Sequence, residues 1–401
     1  MKRIFLTICL VCFAMLVLAQ RKTIDQAQTF IKSGKNLDRA EKLMTDLLKD
    51  SVNRQNKKVW TTLIDAVKMQ YDQGNQKLYL KQKYDTAALF NNANKLLGFC
   101  LQFDSIEAIP NKKGKVNIKY RDKHAEMLNA VRPNIYNGAS FYLRKQDFKN
   151  AWLFYEAYIE CSNNPMFANY NYLETDTLMG KAAYRALYCA YRMGSLEKTL
   201  KYQKLAERDS SYIENIIQYV AERQIQNQDT IAYVNALKRG FSISPKNTFF
   251  FPRLVDYYNM KEENDSAWIF IENALANDSA NVLAVFAKSS ALLNARQYDE
   301  CINVTGKLIA LNDSMPEAYC NMGLAYYNQA LMLEEKQMKE KKRTKKQKAV
   351  VNALFEKSLP YMEKFRQMAP EQQTKWLPAL YTIYFNLNMG KEFDEIEQLR
   401  K

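Results

Sequence analysis

The 401-residue chain carries 58 Lys and Arg against 43 Asp and Glu, a net charge of +15, with 47% hydrophobic residues, 12% aromatics and only 11 glycines. These are the proportions of a large helical protein and exclude a disordered polyelectrolyte. The single histidine, His124, also narrows the chemistry, because a zinc site of the usual composition, a Ser-His-Asp triad or a Cys-His pair would each depend on it.

Residues 1–19 have the layout of a secretory signal peptide: Met1-Lys2-Arg3, an apolar stretch from Ile4 to Leu18, then Ala19 with Val17 two places before it. The apolar run is shorter than the roughly 20 residues needed to cross a bilayer. A lipoprotein would need a cysteine at the cleavage point, whereas Cys9 and Cys12 lie too early. The expectation is therefore export, cleavage after Ala19 and a soluble periplasmic chain beginning at Gln20. Five cysteines remain, Cys100, Cys161, Cys189, Cys301 and Cys320. They have no metal or redox spacing and are read as small buried residues, the alternative in an oxidising compartment being one bridge, for which Cys301 and Cys320 are the closest pair in sequence.

Residues 20–108 read as N-terminal helical repeats with extended helices. Leu37, Ala40, Met44 and Leu47 mark one helix, and Trp60, Leu63, Val67, Tyr84 and Ala87 mark a lengthened hairpin. Residues 109–124 read as a loop, exposed from Ile109 to Tyr120 around Pro110 and Lys112-Lys113-Gly114-Lys115. His124 follows in the charged run from Lys119 and is expected to be an ordinary exposed histidine. Residues 125–213 form a central region outlined by Ile135, Tyr142, Phe148, Ala151 and Tyr155, then by Tyr184, Leu187, Tyr191 and Gly194. Between these sets, residues 166–180 read as an insertion with an extended, tyrosine-bearing segment.

From 214 to 315 a 34-residue period governs the chain, the mark of a helix-turn-helix array. With Glu214, Thr248, Val282 and Pro316 as first positions, the fourth holds Ile217, Phe251, Val285 and Tyr319; the seventh holds Val220, Leu254, Lys288 and Met322. The eleventh holds Gln224, Tyr258, Leu292 and Tyr326, and in the second helix the twentieth holds Tyr233, Ala267 and Cys301. Large residues at the fourth, seventh and eleventh positions share one helix face, so each pair buries one side and stacking completes the core. Asp50-Ser51, Asp104-Ser105, Asp209-Ser210, Asp278-Ser279 and Asp313-Ser314 are expected at helix boundaries, where their side chains can cap free N–H groups.

Residues 316–370 read as a unit with a long basic helical extension. Apolar spacing continues through Leu331, Met338, Val350, Leu354 and Phe365, and the tip carries Lys341, Lys342, Arg343, Lys345 and Lys346. Between Glu334 and Lys348 eight basic residues face three Glu. Residues 371–401 complete the chain with capping helices marked by Leu380, Ile383, Leu387, Gly390 and Phe393.

With Gly323 and Tyr326, Tyr298 and Cys301, and Pro245 at the usual break of a second helix, the pattern resembles the tetratricopeptide repeat family. The resemblance implies an all-α fold, an α-α superhelix or TPR-like helical-repeat solenoid; the lone histidine and the singly scattered glycines lead separately to the expectation of no metal and no cofactor. It also implies binding against an inner groove, here Tyr136, Arg144, Arg185, Arg192, Gln218, Glu222, Asp256, Asn259, Phe286, Asn294, Tyr327 and Asn328. The lysine and asparagine clamp by which some members hold a C-terminal carboxylate is not reproduced, since Arg185 and Cys189, then Gln218 and Glu222, fill its places.

The expected function is a periplasmic scaffold or adaptor for protein partners of the cell envelope. The alternative is a carbohydrate- or peptidoglycan-binding groove, and the basic tip adds an anionic membrane surface as a candidate partner. Nucleic acid suits the charge but not the compartment. Catalysis is the weakest reading, because the paired carboxylates Glu262-Glu263 and Asp394-Glu395 fall in turns and on a solvated face. An Asp followed by Ser or Thr and an apolar residue recurs at Ser51, Thr86, Ser105, Thr177, Thr230, Ser266, Ser279 and Ser314. This resembles an acceptor sequence for O-linked glycans on exported bacterial proteins, a reading compatible with helix capping.

Overall fold

The computed structural model describes residues 19–111, 113–339 and 344–400, and these are helices, short 3-10 turns and connecting loops with no strand among them. The signal-peptide reading falls mostly on residues outside the described ones, as do Lys341, Lys342 and Arg343 of the basic run. The chain divides into two compact units, at Asp229 and Thr230.

The first unit contains α1 (residues 19–33), α2 (Leu37–Leu48), α3 (Lys57–Tyr79), α4 (Thr86–Glu107), α5 (Arg121–Arg144), α6 (Phe148–Glu160), the short α7 (Tyr172–Thr175), α8 (Met179–Arg192), α9 (Leu196–Lys201), α10 (Gln203–Ala206) and α11 (Ile213–Gln226). The long helices pack in succession, α2 on α3, α3 on α4, α4 on α5 and α5 on α6, and α8 lies against α6, α9, α10 and α11, around one core that runs from Ile24 to Val220. Side-chain caps begin several of them: Asn56 accepts from the Lys58 N–H, Asp85 from Ala87, Asp147 from Asn150 and Ser195 from Lys198. Each such cap contributes about 1 kcal/mol. The lengthened hairpin expected near Trp60 is α3 and α4, 23 and 22 residues long.

Three expectations for this unit need correction. Residues 166–180 are not extended: a 3-10 segment (Pro165–Tyr170) leads into α7, and Met166, Phe167 and Tyr172 are buried. The loop ends at Tyr120, and His124 lies in α5, buried with its ring 5.8 Å from Tyr120 and 5.9 Å from Phe103. The charged run is the helix's first turn, so residues 124, 125 and 128 swing onto the core face while their charged neighbours stay outside. Burial holds the His124 pKa below the ordinary histidine range. Asp104-Ser105 is no helix boundary, since α4 continues to Glu107 and buried Asp104 binds Arg121 through bonds of 2.9 and 2.8 Å. Glu107, also buried, closes the loop by accepting the N–H groups of Lys119 and Tyr120 at 3.1 and 3.0 Å.

The second unit contains α12 (Thr230–Ile243), α13 (Phe250–Met260), α14 (Asn264–Asn277), α15 (Val282–Asn294), α16 (Tyr298–Leu311), α17 (Pro316–Lys339), α18 (Lys345–Met368), α19 (Gln373–Asn386) and α20 (Gly390–Arg400). The repeat positions behave as their spacing requires: Phe251, Leu254, Tyr258, Val285, Leu292, Cys301 and Met322 are all buried. Lys288, the charged residue at an apolar position, is accommodated by Glu272 at 2.8 Å and by the Trp268 ring. Asp278 holds the turn by accepting the Ala280 N–H, while the helix cap of α15 is Asn281, which accepts the Ala284 N–H; beside Ser314 the turn-holding side chain is Asn312 and not Asp313. Among the described residues no helix is long and apolar enough to cross a membrane.

All five cysteines of the described residues are free and buried, Cys301 and Cys320 included. Burial raises the thiol pKa to about 12 at Cys189 and to about 11 at Cys161 and Cys320. These thiols therefore stay protonated and unreactive at neutral pH.

Candidate partner-binding grooves

In the second unit, neighbouring first helices α13 and α15 stand side by side and leave a cavity of about 740 Å³ between them. Its lining includes Phe251, Val255, Asp256 and Asn259 from α13, and Leu283, Phe286, Ala287, Ala291 and Asn294 from α15. The spacing on each helix selects one face. The small residues Ala287, Ser290 and Ala291 leave the depth that bulkier side chains would fill, and Phe251, Val255 and Phe286 make the walls apolar. Of the groove residues expected from sequence, this cavity brings together Asp256, Asn259, Phe286 and Asn294.

The second helices supply what the sequence reading missed. Asn264, Asp265 and Trp268 come from the start of α14, and Gln297 and Glu300 from the start of α16. They reach the cavity because the turn after each first helix reverses the chain over its mouth. Three carboxylates, Asp256, Asp265 and Glu300, and no Lys or Arg stand among the described lining residues. That is a locally acidic surface in a chain of net charge +15.

In the first unit the expected residues are mostly committed to one another. Arg185 Nη1 donates to Tyr136 Oη at 3.1 Å, Ser140 Oγ at 3.0 Å and Tyr155 Oη at 3.3 Å. Arg192 lies over Phe148, 4.4 Å from its centroid, and donates to Tyr188 Oη at 2.7 Å. Glu222 accepts from Tyr191 Oη and, at 3.3 Å, from Gln218 Nε2. Arg144 is exposed and lines a separate hollow of about 410 Å³ with Asn75, Tyr79, Asn134 and Asn137. In the second unit Tyr327 donates to Thr382 at 3.3 Å, and Asn328 beside it is half-buried on α17.

The turns that aim these faces repeat at a fixed interval. Gly194, Gln228, Glu262 and Arg296 all take positive φ, at 78, 63, 59 and 60°, and their spacing is 34 residues throughout. The N–H groups of Ser195, Asp229, Glu263 and Gln297 close onto the carbonyls of Ala190, Gln224, Tyr258 and Leu292 at 2.9 to 3.1 Å. A left-handed residue with that closing bond is one solution for ending a helix, and here the same solution returns in four successive hairpins. The fold is a tetratricopeptide-like array of helical hairpins.

No family model and no curated protein matches this TPR-like chain. Several solved structures similar to it are described as tetratricopeptide proteins. The C-terminal part of a TPR repeat-containing protein from Cytophaga hutchinsonii is 11% identical at a TM-score of 0.42, covering 65% of this chain and 92% of its own. A TPR repeats protein from Bacteroides fragilis is 13% identical at 0.30, covering 67% and 98%. The TPR domain of P58(IPK) is 11% identical at 0.32, covering 92% and 99%. These TM-scores lie below 0.5, and the fold class rests on this chain's own turns and helix pairs.

The candidate acceptor residues are accessible to different degrees. Ser51, Ser105, Thr177, Ser279 and Ser314 are exposed, whereas Thr86, Thr230 and Ser266 are half-buried. Ser105 lies inside α4 and its hydroxyl is bonded to the Leu101 carbonyl at 3.0 Å, so it is the one that does not sit at a helix start or turn.

Proposed function

We propose that the chain is an exported scaffold that holds protein partners of the cell envelope, and that the groove between α13 and α15 takes an extended peptide bearing basic side chains and an apolar anchor. The observation that carries this reading is the composition of the groove: apolar walls for the anchor, and Asp256, Asp265 and Glu300 at its edges with no competing cation among the described lining residues. An exposed ion pair at such an edge contributes about 0.2–1 kcal/mol. Because both carboxylates are exposed and screened, Asp256→Asn combined with Glu300→Gln is expected to weaken a Lys- or Arg-bearing peptide by roughly tenfold, and Phe286→Ala by about tenfold or more. Peptide arrays followed by calorimetry on the hits measure both. Equal affinity for parent and variants, or binding of muropeptides and other glycans in place of peptides, overturns the reading.

Export is supported by the charged, apolar and small-residue succession in residues 1–19. We propose a periplasmic location and O-glycosylation at one or more exposed acceptors, with Ser279 and Ser314 in open turns as the first candidates. The mass of the intact protein recovered from its native host is expected to match cleavage after Ala19 plus one or more glycan increments. A mass equal to the bare chain from Gln20 removes glycosylation, and a retained N-terminus removes cleavage.

A further inference from the structure

The α17–α18 hairpin is much longer than its neighbours. Each of its helices has 24 residues, against 14 in α16 and 14 in α19. At 1.5 Å per residue the excess is about 15 Å. The two helices remain paired toward the tip, where Gln337 Nε2 donates to the Gln347 carbonyl at 3.2 Å. A capping box of Thr344 and Gln347 fixes the start of α18.

Two observations at this end are unfavourable for a free protein. Lys345, Lys346 and Lys348 occupy the first turn or so of α18, where the helix dipole disfavours positive charge, and no ion-pair partner for them stands among the described residues. Large apolar side chains also face outward among the lysines: Met338 is 52% exposed and Val350 is 51% exposed. Met332 is further down the same hairpin and is 55% exposed. Lys336 and Lys339 complete the surface, Lys339 being paired with Glu335 at 2.7 Å.

We propose that this hairpin end docks on a bilayer surface rich in anionic headgroups, with the lysines at the phosphate level and Met338 and Val350 entering the acyl boundary. Charge complementarity selects an anionic partner, and the outward apolar side chains select a lipid surface over a polyanion in solution. Nucleic acid is disfavoured because no aromatic residue lies between Tyr327 and Phe355 on which a base could stack. A projecting tip also suits a broad surface better than a cleft. The apolar pair would be buried on docking and the charge of the lysines would be neutralised, so both unfavourable features become favourable in the bound state.

The test uses the mature chain and sedimentation with vesicles, either phosphatidylcholine alone or with about 30% phosphatidylglycerol. Binding is expected only to the anionic vesicles and is expected to weaken steeply between about 0.05 and 0.3 M salt. The triple variant K345Q/K346Q/K348Q is expected to lose on the order of 100-fold in partition coefficient. Met338→Asn with Val350→Asn, at unchanged charge, is expected to lose about fivefold. Phe286→Ala, which damages the groove, is expected to leave vesicle binding as it is, so failure here is distinguishable from failure of the peptide-binding reading. Unchanged helicity by circular dichroism controls for folding, since all five replaced side chains are exposed. Equal binding to neutral vesicles, retained binding by the triple variant, or binding to soluble polyphosphate but not to vesicles overturns the proposal.

Discussion

Replacing Arg132 with methionine is expected to destabilise the first unit by about 3 kcal/mol or more, the usual cost of removing one partner from a buried ion pair. Arg132 is 6% exposed on α5. Its guanidinium carbon lies 3.6 Å from the Tyr158 ring centroid and 3.9 Å from that of Tyr172, between the two aromatic side chains. Nη1 donates to Asp176 at 2.5 Å, and Nη2 reaches the Tyr158 carbonyl at 3.3 Å. Tyr158 Oη donates to the same Asp176 oxygen. One cation therefore ties the segment from Tyr172 to Asp176 to the α5–α6 hairpin. Methionine preserves much of the volume but leaves the carboxylate without its charge partner and takes the cation from between two rings. Thermal unfolding should shift down by roughly 6–12 °C for a unit of this size, with proteolysis appearing first between residues 161 and 178. The double variant R132M/D176N, which removes the stranded charge as well, should recover a large part of the loss. An unshifted midpoint for R132M would show that the cluster adds no net stability.

The same cluster predicts an acid limb. Burial alone would raise the Asp176 pKa, but hydrogen bonds from Tyr158, the Leu178 N–H and Arg132, with the charge of Arg132, hold it below the usual carboxylate range. A lowered folded-state pKa contributes stability above the unfolded value of about 3.9, lost as pH falls through the folded one. The parent should thus lose stability below about pH 4 more steeply than D176N.

The hairpin array was legible in the sequence because stacked repeats bury the same positions each time. Leu254, Leu292 and Cys301 recur on schedule, and their burial follows from the period alone. The Arg132 cluster was not legible. Charged residues are assigned to the surface by default, and what licenses this exception is Tyr158, Tyr172 and Asp176, which only the folded backbone brings to α5. His124 failed for the opposite reason: its charged neighbours suggested solvent, although a helix can turn a single residue inward among them. In the groove, the first-helix residues Asp256, Asn259, Phe286 and Asn294 were visible from the resemblance. Trp268 and Glu300 were not, since their approach depends on the turn geometry at Glu262 and Arg296.

Phe355→Ala is expected to cost about 3–5 kcal/mol in the second unit, and where the damage appears matters as much as its size. Phe355 is fully buried on α18, 6.0 Å from the Tyr327 ring. It belongs to a core that α17, α18 and α19 share through Cys320, Val351, Met362, Phe365, Trp376 and Leu380. The buried clusters of Val285, Leu308 and Ala318, and of Leu292, Cys301 and Ala325, do not include it. In a repeat array each hairpin is stabilised chiefly by its neighbours, so the loss should spread outward from α18 and fade with distance. Hydrogen exchange should therefore speed up most in α17 to α19 and least in α13 and α14. Peptide affinity at the groove should then stay within about twofold, because no groove residue belongs to the cavity-bearing core. A uniform loss of protection from α12 to α20 would instead mean that the second unit opens as one cooperative body, and groove affinity would then fall with it.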